Sequence, residues 1–356
     1  MKKFYNLIHI ETATPKSPEK AVMIIYTGGT LGMVYDEEQA LVPFDFQNIL
    51  NEVPSLRNFN LKITVAAFNE LIDSSNVNPS HWNEIVGLIE DFYDKYDGFI
   101  VIHGTDTMAY TASAISFMLE GLNKPVIFTG AQLPIGAARS DARENLITSI
   151  EIASQKLNHR PVVSEVCIYF DNLLLRANRA KKVESVQFDA FQSENYPVLA
   201  EAGVIIEYNF SALSPYEAEA ELKVRKDIQQ EVAILKVFPG ISKAFVEGIL
   251  CIKGLRGLVI ETYGSGNAPT EKWFIDALQE AIKKGILILN VSQCMGGKVI
   301  QGRYQTSKDL QSIGVISGSD ITSEAAITKI MYVLSHAKSA ESQRNFLVKS
   351  LRGEME

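Results

Sequence analysis

The sequence predicts an α/β protein built from two doubly wound α/β domains. The larger, N-terminal domain is expected to carry a mostly parallel sheet, and the smaller, C-terminal domain a Rossmann-like or flavodoxin-like one. Three observations lead there. Short unbroken apolar runs rich in β-branched residues, such as Val22-Met-Ile-Ile-Tyr26 and Phe99-Ile-Val-Ile102, read as strands buried on both faces. After the second of these come a small polar turn and then apolar residues at helical spacing, so strand, turn and helix alternate. The length of 356 residues suits about two domains. The expected division is 21–212 for the first domain, 213–231 for a linker and 232–356 for the second domain.

Taken in order, residues 11–20 read as an irregular tail before the first strand. Thr27-Gly-Gly-Thr-Leu-Gly32 follows that strand, and its paired glycines hold Thr30 out on an exposed turn. Val34 to Val42 has no clear period and reads as a loop able to move over a site. Asn60 to Phe68 alternates as a strand and ends in the polar turn Leu71-Ile-Asp-Ser-Ser-Asn76. Pro79 to Glu90 is helical, with Trp82, Ile85, Val86 and Ile89 on one face. The Phe99 strand leads into His103-Gly-Thr-Asp-Thr107, with Asp106 or Thr107 as N-cap. Met108, Ala112, Ile115, Met118, Leu119 and Leu122 then recur as a helical stripe. Pro125 to Thr129 is the next strand, Asp141 to Gln155 a helix, Val166 to Phe170 a strand and Leu173 to Ser185 a basic loop.

Ser211 to Gln230 has mixed charge, contains Pro215 and lacks an apolar stripe, which makes it the linker candidate. Beyond it, Val232 to Val237, Leu258 to Glu261 and Ile286 to Val291 read as strands. Trp273 to Lys283 reads as a helix, and Ser323 to Leu334, capped at Thr322 or Ser323, as the last one.

Composition narrows the function. The net charge of −8 argues against a nucleic-acid surface. No apolar run reaches the length of a membrane span. Cys167, Cys251 and Cys294 are odd in number, far apart and each in or beside an apolar run. Buried free thiols and a reducing, cytoplasmic setting are therefore expected. The start, Met1 to Ile10, faintly imitates a signal peptide, but Asn6 and His9 break its apolar run and Glu11 stands where a small-residue cleavage site belongs.

Two strand ends, each presenting threonine on a glycine loop, suggest one crevice lined from two sides, where open α/β sheets bind ligands. The Gly28-Gly-Thr-Leu-Gly32 loop lacks the spacing of a dinucleotide or phosphate turn, and Gly264-Ser-Gly-Asn-Ala-Pro269 has proline where the third glycine belongs. The five histidines are scattered, no Cys or His pair has metal-ligand spacing, and no G-x-S-x-G elbow is present. Neither a metal nor a cofactor is expected. His103 is either a base or, more in keeping with its place, a group that orients the turn. Threonine chemistry remains: a hydroxyl that needs a proton acceptor and an oxyanion site. Thr105, Asp106 and a nearby lysine would form a polar relay, although turn-capping accounts for Thr and Asp at these positions equally well.

Thr27-Gly-Gly-Thr30 and His103-Gly-Thr-Asp-Thr-Met108 together resemble both signature loops of the bacterial asparaginase family. Asp73-Ser-Ser75, Asn178-Arg179 with Lys182, Gly264 to Pro269 and Gln293-Cys-Met295 look like its cytoplasmic, type I branch. The resemblance implies hydrolysis of L-asparagine to L-aspartate and ammonia without a cofactor. It also implies roles, residue by residue. Thr30 resembles the nucleophile, and Thr105 with Lys182 the proton relay. Asp106 resembles the partner of the substrate α-ammonium, and Ser74, between Asp73 and Ser75, the turn holding the α-carboxylate. Asn267 resembles a side chain that reaches a neighbouring subunit's substrate, which implies a homo-oligomer, a dimer or a dimer of dimers. Two departures stand out. Leu41 occupies the place of an activating tyrosine, leaving Tyr35 as the tyrosine of that loop, and Glu261 stands where some type I members have an effector-pocket arginine. Two other readings compete: an amidase subunit supplying ammonia for glutamyl-tRNA transamidation, and a non-catalytic amino-acid sensor.

Overall fold

The computed structural model describes residues 4–12, 18–35, 41–302 and 305–356. By internal contacts the chain forms two compact units, Met1–Ser193 with Pro197–Val224, and Glu194–Tyr196 with Arg225–Glu356.

In the first unit the strands in chain order are β1 (Tyr5–Glu11), β2 (Lys20–Tyr26), β3 (Leu61–Phe68), β4 (Gly98–Ile102), β5 (Val126–Thr129), β6 (Val166–Phe170), β7 (Leu173–Arg176), β8 (Ala200–Ala202) and β9 (Ile206–Tyr208). They form one sheet in the order β1-β3-β2-β4-β5-β6-β7-β8-β9. The five strands from β3 to β6 run parallel, and the outer ones are antiparallel. Every residue of β4 is buried, as its continuous apolar run requires. Within the parallel core the order is second, first, third, fourth, fifth, so the direction of winding reverses between β2 and β4. Tyr26 pairs with Ile102 and Ile102 with Thr129, which brings these three strands to an end at one level. The turns that follow them therefore share an edge, at the switch point where such sheets bind ligands.

Helix α1 (Pro79–Phe92) begins at Asn78, whose side chain accepts from Ser80 N–H at 2.9 Å, and buries Trp82, Ile85, Val86 and Ile89 as the spacing predicts. Helix α2 (Met108–Met118) is buried on nearly all sides, including Thr111, Ser113 and Ser116. Each of these hydroxyls has a hydrogen-bond partner. Ser116 Oγ donates to the Ser113 carbonyl at 2.7 Å and accepts from Asn178 Nδ2 at 3.2 Å. Helix α3 (Ala142–Ser154) follows β5.

Three expectations change here. Leu173 to Ser185 is not a loop: β7 pairs with β6, Ala177–Arg179 forms a tight turn against α2, and Lys181–Lys182 pairs with Phe191–Gln192. The start differs too, because Tyr5–Glu11 is an unforeseen strand, β1, that adds an antiparallel edge to β3, while only Glu11 and Lys20 of the tail expected over 11–20 fall in strands. Of the tail assigned to 11–20, residues 13–17 lie outside the described residues. The expected mobile loop is partly a hairpin, Met33–Tyr35 against Leu41–Pro43, and its residues 36–40 likewise lie outside them. Within 211–230, Lys223–Val224 pairs with Leu119–Glu120.

The second unit holds four parallel strands in sequence order, β10 (Val232–Lys236), β11 (Gly257–Thr262), β12 (Leu287–Ser292) and β13 (Ile316–Ser317). Period-2 geometry divides their side chains between two faces. Leu235, Leu258, Ile260 and Ile288 pack with Phe274 and Leu278 of α5 (Lys272–Lys283) and Val246 of the preceding α4 (Lys243–Leu250). Leu310 of α6 (Gln305–Ser312) joins the same cluster. Gly257, of opposite parity, lies against Ile330 and Leu334 of α7 (Ser323–His336). Emptying the centre of this core by Phe274→Ala would cost about 3–5 kcal/mol. Helix α7 is not the last, because α8 (Ala340–Val348) follows, starting at the cap Ser339. Lys329 on α7 is fully buried, with its ammonium 2.7 Å from Glu354 and donating to the Leu347 and Lys349 carbonyls at 3.1 and 2.6 Å. Of the cysteines only Cys167 is buried; Cys251, at the end of α4, and Cys294, in the turn after β12, are exposed.

Candidate active site

The β2 turn is built on glycine. Gly28 and Gly29 take φ of 138° and 89°, a region that side chains avoid. A Cβ on Gly28 would lie 2.3 Å from the Ile72 carbonyl oxygen, and one on Gly29 2.6 Å from the Gly104 nitrogen. The turns after β2, β3 and β4 are thus packed backbone to backbone. Thr30 opens the single turn Thr30–Gly32, half-buried, with Leu31 inserted into the core. Tyr26 supports that turn from within, its phenol donating to the Gly32 carbonyl at 2.7 Å, and burial pushes the phenol pKa up.

His103-Gly104 leads to the second threonine. His103 Nδ1 lies 2.7 Å from the Gly104 carbonyl, which can only accept, so Nδ1 carries the proton. Nε2 is buried and has no hydrogen-bond partner among the described residues, and burial pushes the imidazole down to about 4. His103 is therefore a neutral group that orients the turn. Beyond it stand Thr105, half-buried, and Asp106, whose side chain is 69% exposed.

Lys182 reaches both. Its ammonium donates to Thr105 Oγ1 at 2.7 Å and to Asp106 Oδ1 at 2.7 Å, while the side chain is only 17% exposed. Pairing with Phe191, and the buried Asn178 and Arg179 just before it, hold the strand that carries it. A charge-assisted triad of hydroxyl, ammonium and carboxylate results.

On the third turn, Asp73 accepts from the Ser75 N–H at 2.9 Å and the Ser75 hydroxyl at 2.8 Å. These bonds, the backbone one foremost, hold the Asp73 carboxyl below its usual range. Asp73 and Ser75 are exposed and Ser74 is buried against Gly104. Thr107 donates to the Ser74 carbonyl at 2.7 Å. Four of the expected residues, Ser74, Thr105, Asp106 and Lys182, are thus joined directly or through one neighbour, and Thr30 stands on the turn that abuts theirs.

The residues 21–213 match the family model "Asparaginase, N-terminal", and 231–347 match "Glutaminase/Asparaginase C-terminal domain". The chain belongs to the asparaginase family. It is 41% identical to L-asparaginase 1 of Escherichia coli K12 over 95% of this chain and 98% of that protein. It is 39% identical to the human 60 kDa lysophospholipase over 95% of this chain and 62% of that protein. The crystal structure of L-asparaginase I from Vibrio cholerae superposes with a TM-score of 0.85 at 38% identity, covering 95% of this chain and 99% of that one.

The remaining positions of this asparaginase-family chain belong to the second unit or to the hairpin. Asn267 closes the Tyr263–Asn267 turn after β11, its N–H donating to the Tyr263 carbonyl at 2.9 Å. Glu261 accepts from the Ser323 hydroxyl at 2.5 Å and stands 3.7 Å from the Lys236 ammonium. The backbones of Tyr35 and Leu41 pair in the hairpin, but their side chains lie outside what the structure describes. Thr107 is the residue whose part the sequence hides, since as an N-cap it needed no further role. Among the described residues no helix is long and apolar enough to cross a membrane.

Proposed function

We propose that this chain hydrolyses L-asparagine to L-aspartate and ammonia at the crevice between β2 and β4. The observation that carries the reading is the Lys182 ammonium, 2.7 Å from both the Thr105 hydroxyl and the Asp106 carboxylate. An exposed carboxylate beside a half-buried hydroxyl–ammonium pair suits a small zwitterion bearing an amide. Asp106 pairs with the α-ammonium, and the Asp73-Ser74-Ser75 turn receives the α-carboxylate. The side-chain amide then faces Thr30. Its hydroxyl adds to the amide carbon and backbone N–H groups take the oxyanion, while the Lys182 ammonium gives one of its protons to the leaving nitrogen as the hydroxyl proton, handed on through Thr105, replaces it. Ammonia departs, and water cleaves the ester to give aspartate and restore Thr30. Every group required belongs to the chain, so neither cofactor nor metal has a part, and no nucleic acid or membrane is engaged.

In this reading the domains are 21–212 and 232–356, joined by 213–231, and the protein is cytoplasmic, which suits its free and partly exposed thiols. Asn267 of one subunit completes the site of another, in a homodimer or a dimer of such dimers. Ammonia release from L-asparagine and L-glutamine by the purified protein tests the activity. No release from asparagine ends this reading. Dilution to monomers abolishes turnover if Asn267 is shared, whereas a fully active monomer in light scattering refutes the shared site.

A further inference from the structure

Thr107 precedes the first residue of α2, the place where a threonine hydroxyl ordinarily accepts from a free helix N–H. It makes no such bond. Forgoing the cap costs about 1 kcal/mol. The hydroxyl instead donates to the Ser74 carbonyl at 2.7 Å, which the Val77 N–H also reaches at 3.2 Å. Gly104 touches the same serine from the other side, since a Cβ there would lie 2.5 Å from Ser74 Oγ. Ser74 is thus gripped by the residues just before and just after the Thr105-Asp106 pair.

The frame behind this grip is rigid. Helix α1 starts at the Asn78 cap, directly after the Ser74 turn, and α2 starts directly after Thr107. The two helices are tied by Trp82 Nε1 donating to Thr111 Oγ1 at 3.1 Å. The Thr111 N–H returns to the Thr107 carbonyl at 3.0 Å. The helices hold without the Thr107 hydroxyl; what the hydroxyl fixes is the turn.

We propose that Thr107 is a positioning residue for substrate selection. Its hydroxyl sets the spacing between the Ser74 turn and Asp106, and so favours ligands that carry an α-carboxylate and an α-ammonium on the same carbon. This rests on the parts given to Ser74 and Asp106 under Proposed function. Two charge-assisted contacts form at full strength only when their partners are already at the right separation. If the turn drifts, one of the two contacts lengthens whenever the other forms. A ligand with carboxylates but no ammonium has nothing to lose from the drift.

The test compares Thr107→Val, which keeps shape and removes the hydroxyl, with Thr107→Ser, which keeps the hydroxyl. The valine variant is expected to raise KM for asparagine about 10- to 100-fold, with kcat within about 3-fold. The inhibition constant of L-aspartate rises by the same factor, while inhibition by succinate, which lacks the ammonium, stays the same. Serine recovers most of the loss. An unchanged KM, a fall in kcat alone, or an equal loss for aspartate and succinate overturns the proposal. Absence of asparagine turnover in the unmutated protein would instead defeat the function it rests on.

Discussion

The Lys182 ammonium donates to the Thr105 hydroxyl at 2.7 Å, two side chains 77 residues apart in sequence. A lysine so placed is bound to the hydroxyl through which a proton must travel, and Asp106 Oδ1 holds it there from a second direction at 2.7 Å.

Lys182→Met is therefore expected to lower kcat by about 100- to 10,000-fold, the range typical of losing a positioned proton-transfer group. Lys181→Met, at the neighbouring position of the same short strand, should change kcat by less than about 3-fold. Steady-state ammonia release decides between them, and equal effects would reduce Lys182 to one charge of a solvated strand.

Thr30→Ala and Thr105→Val should each remove turnover while leaving the fold. Both side chains stand half-buried on turns at strand ends, so truncation opens no large cavity, and stability should change by less than about 1 kcal/mol. Thermal melting alongside the turnover assay checks both halves. Near-normal activity in either variant disproves its assignment.

Gly29→Ala should be the most damaging small change in the crevice. Its φ of 89° is strained for alanine, and the new methyl would meet the backbone nitrogen of Gly104 at 2.6 Å. Backbone cannot swing aside as a side chain can, so a loss above about 2 kcal/mol together with loss of activity is expected. Urea denaturation of the variant measures the first, and asparagine turnover the second.

Stability should fall on acidification above the range where carboxylates titrate. Burial lowers the folded-state pKa of His103 from 6.5 to about 4, so the unfolded chain binds its proton first. The contribution is complete above pH 6.5 and lost as pH falls towards 4, amounting to about 3 to 4 kcal/mol at 1.4 kcal/mol per unit. Unfolding free energies across that window should show this slope in the unmutated protein and lack it in His103→Gln. The same slope in both would place its source elsewhere.

Most of the fold was legible because its central strands are continuous apolar runs. β4 and β6 stand where those runs predict, and Trp82, Ile85, Val86 and Ile89 face inward on α1 as their spacing requires. Several features the sequence leaves hidden share a cause, which is that the deciding partner lies far away in sequence. Ser113 and Ser116 fall between the apolar positions of the α2 stripe, and their burial depends on Ala177–Arg179, which packs there from far along the chain. Lys329, inside the helix expected over Ser323 to Leu334, is buried against Glu354, a partner that helical spacing gives no sign of. Cys251 and Cys294 have apolar neighbours but sit where a helix and a strand end and the chain turns outward. At the site, the two threonine loops announced themselves through glycine. Lys182 was distinguished from Lys181 only by the family resemblance, because the tertiary contact that separates them leaves no mark on composition.

The backbone-to-backbone packing of Gly28 on Ile72 and Gly29 on Gly104 also bears on time. These contacts continue the β2–β3 and β2–β4 pairings, so they share the long sequence separations that make such pairings slow to close. The crevice is then expected to form with the sheet, and recovery of activity should trail recovery of the local helices. During synthesis the loops bearing Thr30 and Thr105 emerge well before Lys182 does. A growing chain carries both hydroxyls in silence until that strand joins them.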